Sequence, residues 1–364
     1  MFTKKGKPDL IIFTAVVMLL SIGLVMVLSA SSSLGISGFR DPYHYFKRQS
    51  VFAVIGVAAL FFFMKLDYKI LKRFALPGLL LSFALLVLVL LIGDNISGSK
   101  RWINLGFFNL QPSEVAKLFM VNFLAVYISN KRERIRLFLT GLIPALCILA
   151  AKFGLIMLEP DFGTAMALSA TSLIVLFAGG AHFGQMLGLG SLAIPALWYL
   201  IMNEEYRMRR FFAYINPWKD PTDTGWNIIQ SLLAIGPGGL FGLGLGNSRQ
   251  KFSYLPEHHT DFIFAILCEE LGFIGGMVVL LLFFVIAWRG LRIAMNAPDL
   301  YGSLLAIGIT SMISFQALLN IGVVTGMLPV TGITLPFISY GGSSLLMSLA
   351  SVGILLNISR QSKN

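Results

Sequence analysis

Asn247–Gly276 reads NSRQKFSYLPEHHTDFIFAILCEELGFIGG. Its first half is a polar loop. From Phe262 the residues turn apolar, with Asp261 at the seam and Glu269 and Glu270 inside the run. A helix needs about 20 apolar residues to cross the hydrocarbon core. A carboxylate at the mouth of such a helix faces protein or a water-filled cavity and marks a functional site by default. The stretch therefore predicts a membrane-spanning helix with a candidate site, Asp261, at its entrance.

Outward from this stretch the same pattern repeats. The chain has 364 residues, 56% hydrophobic and 12% charged, with the apolar residues gathered in roughly ten spanning runs. The expected fold is an all-α polytopic membrane protein forming one integral domain over residues 1–364, which excludes soluble catalysis. Spans are predicted at about 10–30, 48–65, 75–93, 113–130, 138–158, 163–180, 184–202, 261–288, 301–325 and 341–358. The first follows Lys4, Lys5 and Lys7 and ends in LSASSSLG; it is longer than a signal core, so an uncleaved span is expected. Basic residues at Lys65, Lys69, Lys72 and Arg73, at Lys131, Arg132, Arg134 and Arg136, at Arg289 and Arg292, and at Arg360 and Lys363 fall on the same side as the N-terminal lysines. That side is cytoplasmic by the positive-inside tendency, with both termini inside.

The segments left outside are about 31–47, 94–112, 159–162, 203–260 and 326–340. The 203–260 loop, between helices 7 and 8, holds Trp218, Trp226, the apolar piece Asn227–Gly236 and the run GPGGLFGLGLG. It is expected to be structured, with the apolar piece a short helix too short to span. Its glycines permit close backbone approach, but no Lys-Ser/Thr ending makes it a phosphate loop. The net charge of +11 sits beside helix ends, where it reports orientation and contact with anionic membrane lipids, not nucleic acid. Cys147 and Cys268 fall inside apolar runs and read as small core hydrophobes without a disulfide.

The residues alone leave each candidate with two readings. Asp261 and Glu269 are eight apart, on about one helical face, which suggests a polar groove; Asp261 or Thr260 could equally cap the helix. Glu114 and Lys117 follow Gln111-Pro112-Ser113 at pairing distance, as an ion pair that positions helices or a binding pair. Lys152, Glu159 and Asp161 lie in or just past the fifth span, where a lysine can snorkel. Lys100 with Arg101, and Arg207 with Arg209 and Arg210, suit a phosphate or pyrophosphate as well as lipid headgroups. His258 and His259 lack further ligands at zinc spacing and read as solvated bystanders. In PVTGITLPFISYGGSS the hydroxyls, Ser343 among them, either bind sugar or satisfy freed backbone groups.

Taken together, NLQPSEVAK (109–117), EPDFGTA (159–165), NPWKDPTDTGWNIIQS (216–231), LPEHHTDFIFAILCEELG (255–272) and LPFISYGGSS (335–344) resemble the shape, elongation, division and sporulation (SEDS) family. The likeness covers essentially the whole chain, and the glycine run with APDLYGS looks most similar to the FtsW/SpoVE branch, with RodA more distant. The resemblance implies a ten-span peptidoglycan glycosyltransferase of division or spore cortex synthesis. It would polymerise lipid II, carried on undecaprenyl pyrophosphate, into β-1,4-linked glycan at the outer membrane face, beside a class B penicillin-binding protein. It also implies that Asp261 is the essential aspartate and general base, and that Glu114 and Lys117 are the family's Glu-Lys pair. Asp161 is matched, but Glu159 stands where many relatives have Gln. Attack of the acceptor 4-hydroxyl on an α-linked donor inverts the anomeric carbon, so one base suffices. Outer-face arginines or a divalent cation, Mg2+ or Mn2+, would meet the leaving-group charge. A lone aspartate is no metal site, and no cofactor is otherwise required. The competing readings are a lipid II flippase and a non-enzymatic scaffold for the transpeptidase.

Overall fold

The computed structural model describes residues 6–96, 99–106, 108–131, 133–252 and 255–362. Lys4, Lys5, Gly98, Arg132 and Lys363 lie outside the described residues.

Helices stand at all ten predicted runs. In chain order they are α1 (Leu10–Phe39), α2 (His44–Lys65), α3 (Ala75–Ile92), α4 (Pro112–Asn130), α5 (Ile143–Leu158), α6 (Phe162–Ala178) and α7 (Phe183–Met202). Two helices inside the long loop follow, α8 (Glu205–Ile215) and α9 (Trp226–Ile235), and then α10 (Ile263–Met295), α11 (Leu300–Val324) and α12 (Gly342–Gln361). Seven of the described helices are long and apolar enough to cross a membrane: α1, α2, α3 with its leading turn, α5 with its leading turn, α10, α11 and α12. α6 is apolar but only 17 residues long. Aspartates close several entrances. Asp9 accepts from the amides of Ile11 and Ile12, and Asp299 from that of Gly302, satisfying donors that a helix start leaves open.

The all-α expectation needs one correction. Between α3 and α4 the chain forms a small antiparallel sheet of β1 (Asp94–Ile96), β2 (Ser99–Asn104) and β3 (Asn109–Leu110), with β2 in the middle. The segment is too short to cross the bilayer, and Trp102 and Ile103 suit a half-buried pleated surface. Burial alternates at its end, with Ile103 buried and Asn104 exposed.

The bundle has two distinct ends. At one, the Gly6 amide donates to Arg360 O at 2.8 Å, Asp9 pairs with Arg289, Arg360 reaches Met64 O, and Lys69 lies 4.0 Å from Asp299. The two described termini, the basic turn at Lys65–Arg73 and Arg289 thus share a side. The β-sheet, the 159–161 turn, α8 and the 326–340 link gather at the other end, around Asp261.

The long loop is folded, as expected. The apolar piece forms α9, anchored by Ser231 Oγ donating to Val324 O at 2.6 Å. The glycine run then enters a break in α10 at Gly272, where φ is 69° and ψ −168°. Leu243 and Gly244 donate to the carbonyls of Glu269 and Glu270, and Phe273 and Ile274 donate to those of Gly239 and Leu240. The loop backbone thus replaces hydrogen bonds that the broken helix loses. An added Cβ on Gly272 would lie 2.4 Å from the Gly242 nitrogen, so only glycine fits.

Candidate active site

Asp261 lies half-buried on a cavity of about 740 Å3 whose wall includes Arg101, Glu114, Arg207, Arg210, Glu257 and Tyr340. Its carboxyl is not the cap of α10, which starts without any side-chain cap bond. Thr260 does not cap it either, because its hydroxyl turns back to Glu257. Instead the Asp261 carbonyl accepts from Asn320 Nδ2 at 2.7 Å, while the carboxyl faces the cavity. Burial pushes its pKa up to about 7, aided by the carboxylates of Glu257 and Asp161 and opposed by Arg101 and Arg210. A carboxyl tuned to near neutrality is suited to exchange protons at physiological pH.

The strand β2 decides between its two cations. Side chains alternate across a strand, so Arg101 faces the cavity while Lys100 is exposed and does not line it. Arg101 is anchored by Nε to Glu159 O at 3.1 Å and by Nη2 to Pro160 O. On the amphipathic α8, Arg207 and Arg210 line the cavity and Arg210 Nη1 reaches Val330 O at 3.2 Å; Arg209 turns away to Glu205.

Glu114 and Lys117 pair at 2.8 Å, both buried. Lys117 Nζ also donates to Gln316 Oε1 at 2.6 Å, and Gln316 Nε2 to Thr334 O. The pair both borders the cavity, through Glu114, and ties α4 to α11 and the last link. Asp161 caps α6 by accepting from the Thr164 amide at 3.1 Å, just behind the wall. Ser343 is not brought to the cavity: its hydroxyl donates to Asn109 O and accepts from the Gln111 amide, holding α12 against the start of α4.

Four further expectations change. Glu269 does not share a groove with Asp261, which lies before the helix begins. Glu269 accepts from Ser248 Oγ and the Arg249 amide, and Glu270 from Ser29 Oγ and Lys251 Nζ, in a buried knot at the α10 break. The histidines are not solvated: His258 is buried with Nδ1 against Leu255 O, and His259 packs on Tyr45 and Tyr340, its pKa pushed down by burial to about 4. Cys268 is buried but Cys147 is exposed on α5. Lys152, fully buried, does not snorkel; it donates to Ser82 Oγ at 2.7 Å and to Ala116 O.

Glu257, Glu204 and Gly332 belong to the cavity wall and were not singled out by the sequence, whereas Tyr340, also on the wall, belongs to the link whose hydroxyls were read as sugar-binding candidates. Glu257 stands four residues before Asp261 in LPEHHTD, and that spacing was the available signal. Glu159 is completely buried with both carboxyl oxygens unpartnered among the described residues. Burial and nearby Asp161 push its pKa to about 9. It is therefore neutral at pH 7.

Comparison with known proteins shows the family. Stage V sporulation protein E of Bacillus subtilis is 52% identical over 365 residues, covering 100% of both chains. A probable peptidoglycan glycosyltransferase FtsW of Trichlorobacter lovleyi is 47% identical, over 96% of this chain and 93% of that one. A chain from the solved structure of a peptidoglycan synthase complex that coordinates polymerization and crosslinking superposes with a TM-score of 0.81 at 31% identity, covering 97% and 98% of the two chains. The family model for FtsW, RodA and SpoVE, described as a cell cycle protein, matches residues 9–364; the chain belongs to this FtsW/RodA/SpoVE family of membrane proteins.

Proposed function

We propose that this protein is a peptidoglycan glycosyltransferase that polymerises lipid II into β-1,4-linked glycan on the outer face of the cytoplasmic membrane, in division or spore cortex synthesis. The observation that carries the reading is Asp261, a carboxyl raised to about neutrality on a cavity that it shares with Arg101, Arg207 and Arg210. In this reading residues 1–364 form one membrane domain of ten spans. Both termini are cytoplasmic, and the sheet, the 203–260 loop and the last link lie outside. A class B penicillin-binding protein would take the strands for crosslinking, in line with the complex that the fold resembles.

The reaction balances with these groups. The acceptor hydroxyl oxygen bonds to the donor anomeric carbon with inversion, its proton passes to Asp261, and the bond to pyrophosphate breaks with its electron pair leaving on undecaprenyl pyrophosphate. Arg207 and Arg210, the cavity arginines of α8, meet that charge through fork-like N–H donors. Among the described residues no three His, Cys, Asp or Glu side chains cluster to hold a metal ion. A divalent cation, Mg2+ or Mn2+, would have to be held by the substrate's phosphates together with one or two carboxylates, and no step is assigned to one.

The test is glycan synthesis from purified lipid II in detergent by wild type and Asp261→Asn, each copurified with the transpeptidase. Loss of the base should lower the rate about 10²–10⁴-fold with folding and partner binding intact. Equal rates would remove Asp261 as the base. An inactive wild type, beside an active control polymerase, would favour the flippase or scaffold.

A further inference from the structure

A small opening separates the Asp261 carboxylate from Arg101. Gly332, in the last link, has φ +74°, and a Cβ built on it would lie 3.5 Å from Asp261 Oδ2 and 3.6 Å from Arg101 Nη1, with no other described atom outside residues 331–333 within 4 Å. An acid and a cation therefore converge on one point that a side chain at residue 332 would fill. Arg101 holds its place through Nε and Nη2, bound to the carbonyls of Glu159 and Pro160, while Nη1 is the nitrogen turned to the opening.

The opening is held by a pinned link. Tyr214 OH donates to Met327 O at 3.0 Å, Arg210 Nη1 to Val330 O at 3.2 Å, and Gln316 Nε2 to Thr334 O at 3.0 Å. Asn320, buried on α11, donates to Ile333 O at 2.6 Å and to Asp261 O at 2.7 Å. One amide thus fixes the backbone of the carboxylate and the backbone beside the glycine together. Such a double anchor is what a near-attack geometry needs, since a shift of about 1 Å can lower a rate 10²-fold.

We propose that this notch over Gly332, between Asp261 and Arg101, is the seat of the acceptor sugar's nucleophilic hydroxyl, with Asn320 as its positioning residue. The inference rests on the polymerase reading above and assigns Arg101 to the nucleophile side of the reaction. A hydroxyl there gives its proton to Asp261 Oδ2 and accepts from Arg101 Nη1, so its oxygen is polarised as it bonds to the anomeric carbon. The pyrophosphate leaves with the electron pair of the broken bond. Glycine is required twice, by the positive φ and by the volume that the hydroxyl takes.

Gly332→Ala and Gly332→Asn each place a carbon in the seat, and asparagine tolerates positive φ better than most residues. Both, measured with the copurified transpeptidase, should lower kcat about 100-fold while the KM for lipid II stays within about threefold, because remote binding groups are untouched. Arg101→Lys keeps a cation but withdraws Nη1. It should lower kcat at least about tenfold with a similarly unchanged KM, and it tests the seat even if neither glycine variant folds. Any of the three that keeps wild-type melting behaviour and polymerises within about threefold of wild type overturns the notch. Asp261→Asn run beside them separates the two readings: if it is inactive while the notch variants are active, only the notch falls. A wild type inactive beside a working control overturns both.

Discussion

At the scale of single residues, two carboxyls at the cavity end of the bundle are held away from their ordinary titration, and each makes a pH prediction. Asp261 must be ionised to act as a base, so the polymerisation rate should rise with pH and level off above about 7, the pKa that burial and Glu257 impose. Glu257→Gln removes a carboxylate that raises that pKa. Its rising limb should move to lower pH in a pH-rate profile, and an unmoved limb would remove Glu257 as a tuning group. Glu159 makes the opposite kind of prediction, on stability. Its folded pKa is about 9 against 4.5 for the ordinary side chain, so the native state keeps a proton that the unfolded chain releases. Stability therefore falls as pH rises between those values, and below about 4.5 the two states hold the same proton. Glu159→Gln, neutral throughout, should gain stability over wild type across that window and hold the gain above it. Detergent thermal melts at several pH values check this; a gain that does not grow with pH would mean that Glu159 ionises in place. Neither shift is legible in the sequence. EPDF and HHTD name the acids, but the absence of partners around Glu159 and the nearness of Glu257 to Asp261 come from chain segments far apart or from an unusual backbone turn, such as Glu257 at φ 50°.

At the scale of elements, the sequence was most informative where one physical rule dominates. Each of the ten apolar runs holds a helix, and seven of the described helices are long and apolar enough to cross a membrane, although α1 runs on to Phe39 and α10 to Met295; length and hydropathy shape such segments with little help from their neighbours. It was least informative where elements meet. The apolar run of α10 gives no sign that Gly272 breaks the helix, since a glycine inside a helical pattern is ordinarily tolerated. The break depends on the Gly238–Gly246 run arriving from the long loop to supply replacement hydrogen bonds. In the same way, Lys100 and Arg101 read as one cationic pair until the strand β2 places them on opposite faces. The break is testable. Gly272→Ala meets Gly242 N at 2.4 Å and Leu240 O at 2.5 Å and adopts a conformation costing about 1–3 kcal/mol by itself. It should lower the melting temperature clearly. Gly154→Ala, with nothing within 4 Å of the added carbon and a regular place in α5, should leave it unchanged or raise it. Equal melting of the two variants would mean that the loop does not rest on the break.

At the scale of the whole molecule, the two ends of the bundle differ in chemistry, and the proposed orientation rests on that difference. One end joins Gly6, Asp9, Lys69, Arg289 and Arg360 in a lattice of backbone bonds and exposed or half-buried pairs. The other carries Asp261, Arg101 and the cavity. A lipid-linked sugar that is polymerised outside the cell needs the cavity end outside, whereas the positive-inside tendency needs the other end in the cytoplasm. The two requirements agree, although they come from different residues. Single cysteines in a background with Cys147 and Cys268 replaced provide the check. Lys100→Cys lies on the exposed face of β2 and Lys69→Cys on the turn beside Asp299. In intact cells a membrane-impermeant maleimide should label the first and not the second, and permeabilised cells should label both. Labelling of Lys69→Cys alone would invert the chain, place Asp261 beside the cytoplasm and remove outer-face polymerisation. Labelling of Lys100→Cys alone in intact cells leaves Asp261 and its cavity on the face where the proposed polymerase would hand its strands to the transpeptidase partner.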